Sequence, residues 1–153
     1  MSDQPISLHA TLIMHTGIGC LLLGPSGSGK SRLAAEMMVL GGKVVADDNV
    51  TITMRAGMLM GGIAPNLAGI VEMRGVGLYK AADPPSQQVI HLAIELGERY
   101  ERLPARVTRN FHGIEVPIIK LPSPPETNAL YLLATMRAVH EGRILPPDWR
   151  PGA

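Results

Sequence analysis

The chain has 153 residues, with 14 Lys and Arg against 13 Asp and Glu; the net charge of +1 gives no broad footprint for nucleic acid or an anionic membrane surface. Apolar residues make up 46% and charged residues 18%, so a single folded domain over 1–153 is expected rather than a disordered tail or a coiled coil. The lone Cys20 excludes an intrachain disulfide and a cysteine-built metal centre and fits a reducing cytoplasm, no apolar run approaches the roughly 20 residues of a membrane span, and the first residues lack a secretory pattern.

Residues 6–14 (ISLHATLIM) are β-branched and apolar around His9, and after Thr16-Gly17 the run 18–23 (IGCLLL) is continuously apolar. They predict two strands joined by a short turn, the second buried on both faces. Residues 24–29 (GPSGSG) break regular structure and hand over to 30–40 (KSRLAAEMMVL), whose apolar residues recur at helical spacing before Gly41-Gly42. Residues 43–46 predict a short strand into Asp47-Asp48, and 50–54 with 58–63 a hairpin around Ala56-Gly57. Between 64 and 79 neither period dominates, and Gly69, Gly75 and Gly77 suggest a structured loop around at most one short element. Residues 89–96 read as one strand, 106–111 and 115–121 as a second hairpin, 126–140 as a C-terminal helix and 144–153 as a proline-containing tail. Strands far outnumber helices, so they cannot all be joined by helical crossovers. An α/β fold with a mixed, largely antiparallel sheet follows.

Gly24-Pro25-Ser26-Gly27-Ser28-Gly29-Lys30-Ser31 matches the phosphate-loop pattern of Gly, four residues, Gly, Lys and Ser or Thr. The four fixed positions alone arise by chance in roughly one chain in a few hundred of this length. Here a buried strand precedes them and an amphipathic helix follows, which is the setting the chemistry needs. Glycines turn successive N–H groups toward an anion, the helix start adds partial positive charge, Lys30 can reach a terminal phosphate and Ser31 can ligate Mg²⁺. The expected ligand is a nucleoside triphosphate or another polyphosphate.

Asp47 and Asp48 end the strand that follows the helix. An acid at such a strand end normally holds Mg²⁺ or its water shell. Neighbouring strand residues point to opposite sides, so two carboxylates suggest two duties, one near metal and lysine and one as general base for an attacking hydroxyl. Glu72 and Arg74 add a carboxylate and a cation in a glycine-rich segment that by itself reads more simply as a surface loop with an exposed ion pair. The five histidines have no metal-binding spacing, and only His9 lies on the strand beside the one that feeds the loop.

Together these residues resemble the HPr kinase/phosphorylases, bacterial enzymes that phosphorylate a serine of the phosphocarrier HPr. The resemblance covers residues 8–140 and rests, in order, on His9 with Gly17-Ile18-Gly19, on GPSGSGKS, on VADDNV (45–50) and on APNLAGIVEMRGVG (64–77). It implies a phosphate-loop kinase domain similar to that of phosphoenolpyruvate carboxykinase, with ATP and Mg²⁺ as cofactors. HPr or a nitrogen-branch homologue is the implied partner, and a hexamer the implied assembly. Carried over by position, it implies Lys30 on the transferring phosphate, Ser31 and Glu72 on Mg²⁺, Asp47 supporting metal or lysine, Asp48 as the base, and His9 and Arg102 as further active-site residues.

The chain begins almost at the kinase domain, as in the short α-proteobacterial form, whereas typical members carry an N-terminal domain as well. Leu78-Tyr79-Lys80 replaces an apolar stretch with an acid, and Thr127 stands where the family has an arginine associated with phosphorolysis. The kinase direction therefore matches better than the phosphorylase direction. Two other functions compete: a small-molecule phosphate-loop kinase, against which stands the absence of an Arg-rich lid, and a nucleotide-binding regulator without turnover.

Overall fold

The computed structural model describes residues 4–152. Twelve strands and two helices are present among the described residues. They run β1 (Ile6–Leu8), β2 (Thr11–His15), β3 (Ile18–Leu23), α1 (Lys30–Val39), β4 (Lys43–Ala46), β5 (Val50–Arg55), β6 (Met58–Gly62), a 3-10 turn (Pro65–Leu67) and β7 (Ile70–Met73). They continue with β8 (Gly77–Lys80), β9 (Gln87–Val89), β10 (Leu92–Gly97), β11 (Val107–Phe111), β12 (Ile114–Pro122) and α2 (Ala129–His140). No helix among the described residues is long and apolar enough to cross a membrane.

The main sheet has six strands in the order β11-β12-β10-β3-β2-β4, with β3, β10 and β12 parallel and the outer pairings antiparallel. A four-stranded antiparallel sheet, β1-β5-β6-β9, covers one face, and α1 and α2 cover the other. This sandwiching explains the unbroken apolar run of β3. Cys20 and Leu22 point into the layer with Leu33, Met37 and Leu132, while Leu21 points into the layer with Val50, Ile52 and Leu59. Both faces of β3 are dry, so its sequence shows no alternation.

The mixed sheet, both hairpins and α1 agree with the pattern of the chain. Four boundaries differ. Residues 6–14 are two strands in different sheets: β1 pairs with β5, β2 with β3 and β4, and the chain crosses between them at His9-Ala10. Residues 89–96 are likewise divided, because β9 pairs with β6 and the chain then crosses to the main sheet. Ile90 N–H donates to Leu59 O at 2.8 Å and His91 N–H to Gly19 O at 2.9 Å. Apolar periodicity runs through both crossings, which hid them. The segment after residue 64 holds a complete hairpin, β7–β8, whose weak pattern reflects its exposure: of these two strands only Val71 is buried. Finally, α2 starts at Ala129, later than expected, because the Asn128 side chain accepts from Tyr131 N–H at 3.0 Å and caps the helix there.

His91 sits where two layers meet. Its Nδ1 accepts from Gly19 N–H at 3.0 Å, and its ring lies edge-on to His140, 4.7 Å between centroids. Burial, and secondarily the neighbouring His140, hold its pKa below the ordinary imidazole value of 6.5. The folded state thus favours neutral His91, so stability is full above about pH 6.5 and falls as the pH drops, the unfolded chain taking the proton first. Urea titrations at pH 7.5 and 5.5 should show lower stability at pH 5.5, and His91→Gln should flatten that part of the loss.

Candidate active site

The loop 24–29 joins β3 to α1 at the carboxyl ends of the parallel strands, the usual ligand-binding edge of such a sheet. Two of its glycines are required by space as well as by backbone. Gly24 has φ 142°, and a Cβ there would lie 2.7 Å from Ser28 Oγ and 2.9 Å from Leu96 O. Gly29 has φ 99° and would meet Pro124 Cδ at 2.5 Å. Gly29 is also the N-cap of α1, so no side chain caps the helix and no acid stands in its first turn. The start of the helix is therefore available to an anion.

Lys30 is buried and folded back over the loop. Its Nζ donates to Gly24 O at 2.6 Å and Pro25 O at 3.0 Å, with Ser28 Oγ at 3.5 Å. Burial lowers its pKa, and the charges of Asp48 and then Asp47 oppose that shift.

The two carboxylates diverge, as their adjacency suggests. Asp47 turns inward, accepting from Thr11 Oγ1 at 2.7 Å and from Ser31 Oγ at 2.9 and 3.0 Å. Asp48 adopts φ 70° just beyond the end of β4 and leaves its side chain 82% exposed. The backbone turn, more than strand alternation, separates the pair. His9 Nδ1 lies 3.2 Å from Asp48 Oδ1 and 3.0 Å from Asp48 O. With two oxygens facing it, Nδ1 carries the proton and donates, which leaves Nε2 to accept from Ser26 O–H at 3.3 Å when the ring is neutral.

A cavity of about 900 Å³ gathers most of these groups: His9, Ser26 to Ser31, Asp47, Asp48 and Glu72 all line it. Gly24 and Pro25 lie behind it and supply the carbonyls that hold Lys30. Arg102 is not brought into this cluster. It is exposed in the segment between β10 and β11, away from the cavity wall, because that segment leaves the main sheet on the far side of β10 from β2 and β4.

Pattern reading missed Thr11, whose only signal is a hydroxyl inside a buried strand, and Pro124, whose packing on Gly29 joins residues remote in sequence. Thr127 is buried with its Oγ1 unpartnered.

Among the described residues no three His, Cys, Asp or Glu side chains come together to hold a metal unaided. The donor set around the loop, a hydroxyl and one or two carboxylates, matches the sparse protein ligation of Mg²⁺, which takes its other oxygens from water and phosphates.

The model of the HPr serine kinase C-terminal domain matches residues 2–141. The chain belongs to this family. An HPr kinase/phosphorylase of an Exiguobacterium species is 32% identical over 140 residues, covering 83% of this chain and 45% of that protein. One from Xanthomonas campestris is 30% identical over 151 residues, covering 88% and 48%. The chain thus spans about half the length of the curated relatives it matches. The solved structure of the HPr(Ser) kinase/phosphatase from Coxiella burnetii superimposes with a TM-score of 0.76 at 25% identity, covering 90% of this chain and 92% of that one.

The packing of Gly29 gives a test of the loop. Gly29→Ala forces a left-handed φ on alanine and a clash with Pro124, and should cost about 2 kcal/mol in chemical denaturation. Gly27 has φ 81° but open space around it, so Gly27→Ala should cost less, about 1 kcal/mol.

Proposed function

We propose that this chain carries the catalytic machinery of an ATP- and Mg²⁺-dependent protein serine kinase that phosphorylates HPr or a similar phosphocarrier. One observation carries the reading. An uncapped helix start with a buried lysine faces a carboxylate pair of which one member is tied to Ser31 and the other is exposed and paired to a histidine. The names of the relatives supply the substrate class.

The anionic chain of ATP would lie on the loop amides, with Lys30 exchanging its bonds to Gly24 and Pro25 for bonds to phosphate oxygens. Ser31, Asp47 and Glu72 would hold Mg²⁺, which when bound neutralises charge on the transferring and leaving oxygens. Asp48 takes the proton of the acceptor serine as its oxygen bonds to the γ-phosphorus, while the bond to the bridging oxygen breaks and ADP leaves. Exposure of Asp48 suits a serine carried on another protein. His9 donates to the Asp48 carboxylate and so orients it. Phosphorolysis, the other activity in the relatives' names, would run through the same residues, with Asp48 returning the proton as inorganic phosphate attacks. Arg102 has no role in this scheme.

Incubation with Mg·ATP and purified HPr should add one phosphate to a serine of HPr, read by mass. Lys30→Ala and Asp48→Asn should each slow transfer by about 10²-fold or more. Full transfer by Asp48→Asn would remove the base assignment, and no transfer by the unaltered chain would remove the proposal.

A further inference from the structure

The strand pairings on either side of the carboxylates share one register. Leu8 of β1 faces Val50 of β5, and Leu12 of β2 faces Ala46 of β4. Between these pairs residues 9–11 pass residues 47–49 in the same antiparallel sense, and the ladder is interrupted there because the chain is changing sheets. Side chains bridge the gap. Ser7 Oγ donates to Asn49 Oδ1 at 2.8 Å, His9 Nδ1 lies 3.0 Å from Asp48 O and 3.2 Å from Asp48 Oδ1, and Thr11 Oγ1 donates to Asp47 Oδ1 at 2.7 Å. Three alternate residues of one segment thus hold three consecutive residues of the turn, in antiparallel order.

Alternation along the segment puts these three side chains together. Ala10 and Leu12 are buried in the layer between the two sheets and Leu8 packs against it, so Ser7, His9 and Thr11 project to the other side. The interrupted ladder leaves Asp48 free to take its left-handed φ of 70°, which turns its carboxylate away from that of Asp47. With the ladder gone, the direction of the exposed carboxylate depends on the side-chain bonds that replace it. His9 contacts Asp48 itself, whereas Ser7 and Thr11 fix the residues on either side.

We propose that Thr11 and Ser7 are positioning residues for proton transfer at Asp48: they clamp its two neighbours and so set the direction from which its carboxylate meets the acceptor hydroxyl. Both act through Asp47 and Asn49 and not on the reacting atoms. Thr11 is wholly buried and bonds to a carboxylate, so it holds the turn more firmly than Ser7, which is exposed and bonds to an amide. The inference rests on reading Asp48 as the base, and the experiment separates the two.

Transfer from Mg·ATP to purified HPr is measured for Thr11→Val, Thr11→Ser, Ser7→Ala and Asn49→Ala, each alone and combined with Asp48→Asn, with the folded fraction checked by urea titration. Thr11→Val should lower kcat about tenfold with the KM for HPr within about twofold, and Thr11→Ser, which keeps the hydroxyl, should restore kcat to within about twofold of the unaltered chain. Ser7 and Asn49 are exposed, so their variants keep the fold and decide the matter even if Thr11→Val unfolds. Each should lower kcat about threefold, and the two together no further, because they break one bond. Calorimetric binding of Mg·ADP by these two variants should stay within about twofold. In the Asp48→Asn chain, which has no base to aim, none of the changes should slow the residual transfer read by mass over long incubation. Equal losses with and without Asp48 would overturn the inference, leaving the bonds a tie between sheets, and so would an unchanged kcat in the Ser7 and Asn49 variants. Undiminished transfer by Asp48→Asn alone would remove the base reading, and the clamp with it.

Discussion

Asp47 ties together the parts of the molecule that have to be in register for the site to exist. Its carboxylate receives one hydroxyl from β2 and another from the first turn of α1, while its own backbone directly follows β4. Such charge-assisted bonds contribute about 1.5–3 kcal/mol each. Their geometric effect matters as much, because no side chain caps α1, and they add to the packing of Leu33 and Ala34 in fixing where the helix starts. Thr11 is wholly buried, so loss of Asp47 would also leave a hydroxyl without an acceptor inside the sheet. The same carboxylate that would support a metal therefore already holds the helix against the sheet.

The placement of charge follows from that frame. Burial of Lys30 disfavours its ammonium, the charges of Asp48 and then Asp47 oppose that shift, and two loop carbonyls accept from its Nζ. A bound polyphosphate offers a stronger set of anionic oxygens than the carbonyls do. Exchange of one set for the other would move the lysine and free the Gly24 and Pro25 carbonyls together. Asp48, by contrast, is held from outside the loop. His9 crosses from the four-stranded sheet to the main sheet at the point where its ring reaches Asp48, so the break between β1 and β2 is what sets the orientation of the exposed carboxylate.

Much of this was legible in the chain because it is local. The loop, the buried strand before it and the helix after it form one continuous segment, whereas the divergence of Asp47 and Asp48, expected from strand alternation, comes from the left-handed turn at Asp48. The His9–Asp48 pair, the Thr11–Asp47 bond and the contact of Pro124 with Gly29 join residues far apart in sequence, and no periodicity encodes them. Both sheet crossings escaped for a related reason. At His9-Ala10 and again at Ile90-His91 the chain stays buried as it changes partners, so the apolar pattern continues where the hydrogen bonding does not. Arg102 shows the opposite limit: a motif can mark a residue without saying that the fold delivers it.

The hairpin β7–β8 was least legible, and the cause is physical. Its strands pair with each other, β7 rests on α1 and β4, and β8 has no further strand at its outer edge. A strand pair packed on one side only, with Gly75 inside its turn and Gly77 opening β8, needs neither alternation nor large core residues. Glu72 on β7 and Leu78 on β8 are cross-strand partners, and both line the cavity. The one wholly buried side chain of the pair, Val71, belongs to the core layer that includes Leu33 and Met37 of α1, so through that residue the hairpin is fastened to the helix side of the main sheet.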